Sequence, residues 1–147
     1  MRFAIARAPR SQRPLLRSAV GQLMLSVKDD QEVLALARRI NAEEKDPAVR
    51  MRIDDLMRKI EACRRDGYGY TEGATTPGAG IIAVLLPTPP HQPPIALGIG
   101  AALRKLREQK LNYLAALRQA VNVHGRQIGL PSGKEARAAV PQRGSKR

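Results

Sequence analysis

The stretch from Gly67 to Gly100 constrains the fold more than any other part of this chain. It contains a short alternating segment with two tyrosines, a turn rich in glycine, and a continuous apolar segment from Ile81 to Leu86 that predicts a buried strand. The five prolines from Pro87 to Pro94 cannot donate ladder hydrogen bonds, so we expect a hairpin loop there and a partner strand from Ile95 to Gly100. Helical patterns flank this stretch on both sides. The sequence therefore predicts an α+β domain, with helices packed on an antiparallel sheet.

Three elements are predicted before this stretch. Residues 2–6 alternate in the manner of an edge strand. Ser18 is an N-cap residue for a helix through about Val27, and Asp29 or Asp30 begins a second helix. Gly21 lies inside the first helix, where glycine costs about 1 kcal/mol relative to alanine, which indicates that another group packs closely against it.

Two further helices complete the pattern. Asp46 followed by Pro47 predicts the start of a helix whose apolar face includes Cys63 and which ends at Gly67. We expect Cys63 to be a core thiol. The last helix begins at about Leu103, ends near residue 128, and directs Leu106, Tyr113, Leu114, Leu117 and Val121 toward the sheet.

The length of 147 residues allows one domain, and the net charge of +13 is concentrated at the two ends. Residues 1–17 contain five arginines and no acidic residue, and residues 131–147 contain five basic residues and one glutamate. We therefore predict a basic segment over 1–17 with a possible edge strand, a folded domain over 18–130, and a basic, disordered tail over 131–147. Weak, salt-sensitive binding of DNA or RNA by these ends is the functional alternative.

No catalytic or metal-binding motif is present. Cys63 is the single cysteine, which excludes an internal disulfide and a multi-cysteine zinc site and favours a reducing cytoplasm. His91 and His124 have no carboxylate or cysteine at ligand spacing. Gly98 and Gly100 precede a helix, but Leu103 stands where a dinucleotide fingerprint has its third glycine. The longest apolar run is far too short to span a bilayer. We expect a protein that is not an enzyme, has no cofactor and does not enter a membrane.

Three blocks resemble the C-terminal effector-binding domain of the IclR family of bacterial transcriptional regulators. Residues 14–25 are similar to the start of the family's first helix, residues 56–68 to the helix that closes with an arginine, two variable residues, glycine and tyrosine, and residues 71–100 to its loop, strand, hairpin and strand. The resemblance implies a GAF-like sensor architecture, a pocket for a small organic acid or aromatic effector, and assembly as a homodimer or tetramer. We expect this chain to bind DNA only indirectly, or weakly through its basic ends.

The resemblance also implies the positions that contact the effector, which in this chain are Ala19, Val20, Thr71, Ile81, Gly98 and Gly100. Most of these residues cannot make the polar contacts of the family, so we expect an apolar ligand or none. The two glycines are expected to leave unfilled space against one face of their strand. The family's winged helix-turn-helix and the first strands of the effector domain have no counterpart in the sequence, so a sheet that is incomplete at its N-terminal side is expected. A fragment without function is therefore a further alternative.

Overall fold

The structure, a computed structural model, describes residues 2–6 and 15–127. The elements in chain order are β1 (Arg2–Ala6), α1 (Ala19–Leu25), α2 (Asp30–Glu43), a 3₁₀ helix (Pro47–Val49), α3 (Ile53–Asp66), β2 (Gly69–Glu72), β3 (Ala79–Leu86), β4 (Ile95–Ala102) and α4 (Leu103–Gln127). The predicted α+β class is confirmed.

The strands form one antiparallel sheet in the order β1-β4-β3-β2. β3 and β4 form the predicted hairpin, and the proline-rich loop connects the two strands. The predicted edge strand β1 pairs with β4, with Ala4 opposite Gly98. β2 forms the other edge and pairs with β3, where Thr71 lies opposite Ile81.

Helices cover both faces of the sheet. On one face α4 buries four of the five residues that its periodicity predicted and partly buries the fifth, Val121, and these residues pack with Ile82, Val84 and Ile99 of the sheet. On the other face Leu23 and Met24 of α1 pack with Cys63 of α3 and with alanines of β3 and β4. The predicted core position of Cys63 is confirmed. A third apolar cluster joins α2 and α3.

The predicted caps are present at the first two helices. The Ser18 hydroxyl accepts a hydrogen bond from the Gly21 N–H at 2.9 Å, and an Asp29 carboxylate oxygen accepts one from the Glu32 N–H at 2.9 Å. Helix α1 ends at Leu25, two residues before the predicted end. Helix α3 ends at Asp66 and is followed, as predicted, by Gly67, which has the left-handed φ of 75° that favours glycine.

The predicted helix start at Asp46 and Pro47 is wrong. Asp46 caps only the short 3₁₀ helix, accepting from the Ala48 N–H at 2.9 Å, and α3 begins at Ile53. The Asn41 side chain explains the interruption, because it donates to the Met51 carbonyl at 2.7 Å and accepts from the Met51 N–H at 3.1 Å. Those backbone groups are therefore occupied outside a helix.

The turn between β2 and β3 is shorter than predicted. β3 begins at Ala79, before its predicted start at Ile81, and β4 continues to Ala102, past its predicted end at Gly100. The basic tail over 131–147, the end of the last helix at residue 128 and part of the segment over 1–17 lie outside the described residues.

Candidate functional site

Four of the six positions that the family resemblance indicates lie on one face of the sheet. Thr71, Ile81 and Gly100 form one row across three strands, since Ile81 is paired with Thr71 on β2 and with Gly100 on β4. Gly98 lies in the next row, opposite Ala83. Paired residues of an antiparallel sheet share a face. We call this the α1 face, because α1 packs on it.

The remaining two positions are at the start of α1, directly over this face. A Cβ atom at Gly69 on β2 would lie 2.5 Å from the Ala19 carbonyl oxygen, which shows how closely α1 approaches the sheet. Val20 and Ile81 pack against the same cluster of Leu23, Met24, Cys63, Ala83 and Ala96. The fold therefore places all six positions either on the α1 face or on the helix that packs against it.

The two glycines of β4 differ in their surroundings. A Cβ at Gly98 would lie 3.3 Å from both the Ala83 Cβ and the Ile82 carbonyl oxygen, so the expectation of unfilled space is wrong there because β3 occupies it. Among the atoms that the structure describes, which exclude the side chains of β1, a Cβ at Gly100 would meet its nearest atoms at 3.9 Å and 4.0 Å, and Gly100 is exposed. The open part of the α1 face is therefore at Gly100, beside Ile81.

Polar groups are sparse on this face. The side chain of Thr71 is buried, and it shares the α1 face with glycine, alanine and isoleucine. The nearby Gln22 is also buried, and its amide already donates to the Leu16 carbonyl at 3.0 Å. Burial, with Asp66 nearby, raises the pKa of the Cys63 thiol to about 11, so this group stays neutral. The face is suited to apolar contacts together with a hydroxyl.

A second feature is a cavity of about 640 Å³ between α3, the 3₁₀ segment and the turn after β2. None of the six positions lines it. Five basic residues do: Arg17, Arg50, Arg52, Arg58 and Lys59. We call it the basic cavity. The basic cavity was not predicted from the sequence. The positive charge at the two chain ends was the more prominent signal, although four of the cavity's basic residues lie within ten positions of one another.

A polar cluster joins β2 to α4 on the opposite face. The Tyr70 hydroxyl donates to Glu72 at 2.7 Å, and Arg107 binds the same carboxylate. The Arg107 and Tyr70 hydrogen bonds lower the pKa of Glu72 to about 2, and burial, with the Glu72 hydrogen bond, raises the pKa of Tyr70 to about 12. The Lys110 Nζ lies 4.3 Å from the centre of the Tyr70 ring and 5.4 Å from that of Tyr68. Both tyrosines therefore have structural contacts.

Residues 2–6 and 15–127 were searched for a metal-binding group and for a membrane-spanning helix. Among them no group of three or more His, Cys, Asp or Glu side chains is placed to hold a metal ion. The helices in the same ranges also lack a segment long and apolar enough to cross a membrane.

An antiparallel sheet has helices on both of its faces, and the six family positions lie either on the α1 face or at the start of α1. This architecture is that of a regulatory domain. The family model described as "Bacterial transcriptional regulator IclR C-terminal" matches residues 9–126, and the chain belongs to this family. The family consists of transcriptional regulator domains and is not a class of enzymes. A search of curated proteins gave no match.

Solved structures agree with this assignment. The effector domain of the transcriptional regulator IclR from Acinetobacter sp. ADP1 is 27% identical, with a TM-score of 0.72 over 81% of this chain and 82% of that one. The C-terminal domain of E. coli KdgR is 18% identical and has a TM-score of 0.70. The match covers 86% of this chain and 87% of that one. An IclR family regulator from Brucella abortus is 21% identical, with a TM-score of 0.59 over 87% of this chain but only 44% of that longer one.

Proposed function

We propose that the domain senses a small organic or aromatic molecule and that the α1 face is its binding site. The observation that carries this proposal is the arrangement of the six family positions: Thr71, Ile81, Gly98 and Gly100 lie on the α1 face, and Ala19 and Val20 lie at the start of the helix that covers it. The ligand enters at Gly100, where the face is open, and contacts Ile81. It is mainly apolar, with one polar group directed toward the Thr71 hydroxyl.

Regulation follows from the position of this site between the sheet and α1. A ligand that touches both elements changes the balance between two arrangements of α1 by as much as its affinities for them differ. We further propose that the folded unit spans 18–130, that it is cytoplasmic, and that it acts as a homodimer or tetramer. Sedimentation velocity with and without ligand tests the assembly.

Thermal unfolding with a panel of small organic and aromatic acids and their uncharged analogues tests ligand binding. A compound that binds only the folded state at about 100 times its Kd stabilises that state by about 2.7 kcal/mol. This is expected to raise the Tm by several degrees. The expected hits are the more apolar members of the panel.

A matched pair of variants locates the site. Gly100→Leu fills the open part of the α1 face and is expected to abolish the Tm shift, whereas Ala115→Leu adds similar bulk on the exposed side of α4 and is expected to leave it unchanged. A Tm shift that survives in Gly100→Leu places the ligand elsewhere. A cooperative transition that no compound moves contradicts sensing, and the absence of a cooperative transition contradicts a folded sensor.

A further inference from the structure

We propose that the basic cavity is a second binding site, distinct from the α1 face, for a small anion that carries two or more carboxylate or phosphate groups. This inference does not depend on the proposed function, because none of the six positions on or under the α1 face lines the cavity.

The first argument is charge. Two acidic residues, Asp55 and Glu72, also line the cavity, but each is already neutralised by an arginine. Asp55 forms an ion pair with Arg58, and Glu72 is bound by Arg107 at 2.6 Å. These carboxylates therefore offer little compensation to the remaining cations.

The second argument is the lack of partners for three of those cations. Arg17, Arg52 and Lys59 form no ion pair or hydrogen bond with side chains of the residues that the structure describes. Arg50 donates to the backbone carbonyl of Glu44 at 2.8 and 3.1 Å, which holds its guanidinium in place but does not cancel its charge. The cavity thus gathers uncompensated positive charge in a concave site, where it attracts anions.

The third argument is size and valence. A volume of about 640 Å³ is within the range of small-molecule sites, roughly 300–1,000 Å³. Each exposed ion pair contributes little, so a monovalent anion gains too little to be held. A ligand with several anionic groups engages Arg17, Arg52 and Lys59 together, and the planar guanidinium of Arg52 donates two hydrogen bonds to a carboxylate or phosphate group.

A nucleic acid backbone is the other source of phosphate. We favour the small anion, because these cations line one recess between three elements, whereas a duplex requires charge spread along an extended surface.

Isothermal titration calorimetry of the full chain at low ionic strength, with citrate and pyrophosphate as probes and glycerol as the uncharged comparison, tests this inference. Arg52→Gln with Lys59→Gln is expected to weaken binding of the anions about tenfold, and added NaCl weakens it further. The control is Arg38→Gln with Lys105→Gln, which removes the same two positive charges from exposed positions that do not line the cavity, and it is expected to leave the affinity unchanged. Circular dichroism checks that every variant remains folded.

Three outcomes would overturn the proposal. The first is the absence of binding by citrate and pyrophosphate to folded wild-type protein at millimolar concentration. The second is an equal loss in Arg38→Gln with Lys105→Gln, which indicates general charge attraction. The third is a short DNA duplex that binds in a cavity-dependent way while both small anions do not. Gly100→Leu is expected to bind citrate normally, and this result separates the two sites.

Discussion

Arg107 on α4 holds Glu72 on β2 through two hydrogen bonds, from its Nε at 2.9 Å and from its Nη2 at 2.6 Å, one to each carboxylate oxygen. This bidentate pair ties the last helix to an edge strand that is only four residues long. Because Glu72 is followed directly by the turn that lines the basic cavity, the pair also fixes one side of that cavity.

The stability conferred by Glu72 is expected to depend on pH. Its pKa is about 2 in the folded state, against an ordinary value of 4.5. A lowered pKa means that the contribution is complete above about pH 4.5 and disappears as the pH falls toward 2. Glu72→Gln is therefore expected to have a lower Tm than wild type at pH 7 and nearly the same Tm near pH 2, as measured by circular dichroism.

The control for this prediction is Glu108→Gln, which removes a carboxylate whose partner Arg104 lies one turn away on the same helix. Such a pair joins no separate elements, and a smaller change in Tm is expected. A difference between Glu72→Gln and wild type that is the same at pH 7 and pH 2 would show that the ion pair is not its source.

Two leucines of α4 test which side of this helix carries the core. Leu117 is fully buried against the sheet, whereas Leu111 is 78% exposed. Leu117→Ala is expected to lower the free energy of unfolding by about 2–5 kcal/mol, and Leu111→Ala by less than about 0.5 kcal/mol. Urea titration measures both. Similar losses in the two variants would place Leu111 in an interface between copies.

The sequence predicted the elements whose signals are local. The structure has helix starts at Ser18 and Asp29 and a helix end at Gly67. Each signal is local, because a capping side chain or a left-handed residue acts on backbone groups within a few positions. The hairpin and the buried face of α4 followed from proline placement and helical periodicity. These signals do not depend on the rest of the fold.

The wrong or missing predictions concern places where the local structure depends on residues that are distant in the sequence. Asn41 interrupts the helix predicted from Asp46 by binding the backbone of a residue ten positions away. Gly98 has no free space because β3 fills it. The basic cavity exists because Arg17 meets the segment around Arg52, which spacing along the chain does not reveal.

Gly21 is expected to tolerate no side chain. The sequence indicated a close approach there, and a Cβ at this position would overlap the backbone carbonyl of Leu15. Although alanine favours helix by about 1 kcal/mol, the overlap is expected to outweigh this gain, so Gly21→Ala loses at least about 1–3 kcal/mol of stability.

Gly100→Ala is the matched substitution at a glycine with open surroundings, and less than about 0.5 kcal/mol of change is expected. Urea unfolding compares the two variants. Equal stability of Gly21→Ala and wild type would mean that α1 can move away from Leu15 without loss.

Arg64 has a role that its position at the end of α3 did not reveal. Its guanidinium donates to the carbonyls of Ser26 at 3.1 Å and Lys28 at 2.8 Å and pairs with Asp30 at 2.7 Å, so it joins α3 to the connection between α1 and α2. Arg64→Met retains the aliphatic stem but loses these bonds, and about 1–2 kcal/mol of stability is expected to be lost, as measured by urea unfolding. The neighbouring Arg65 is 69% exposed and pairs only with the adjacent Asp66, so Arg65→Met is expected to change stability by less than about 0.5 kcal/mol. If both variants lose the same amount, the charge at the end of the helix is what matters, and the connection to α1 and α2 contributes nothing.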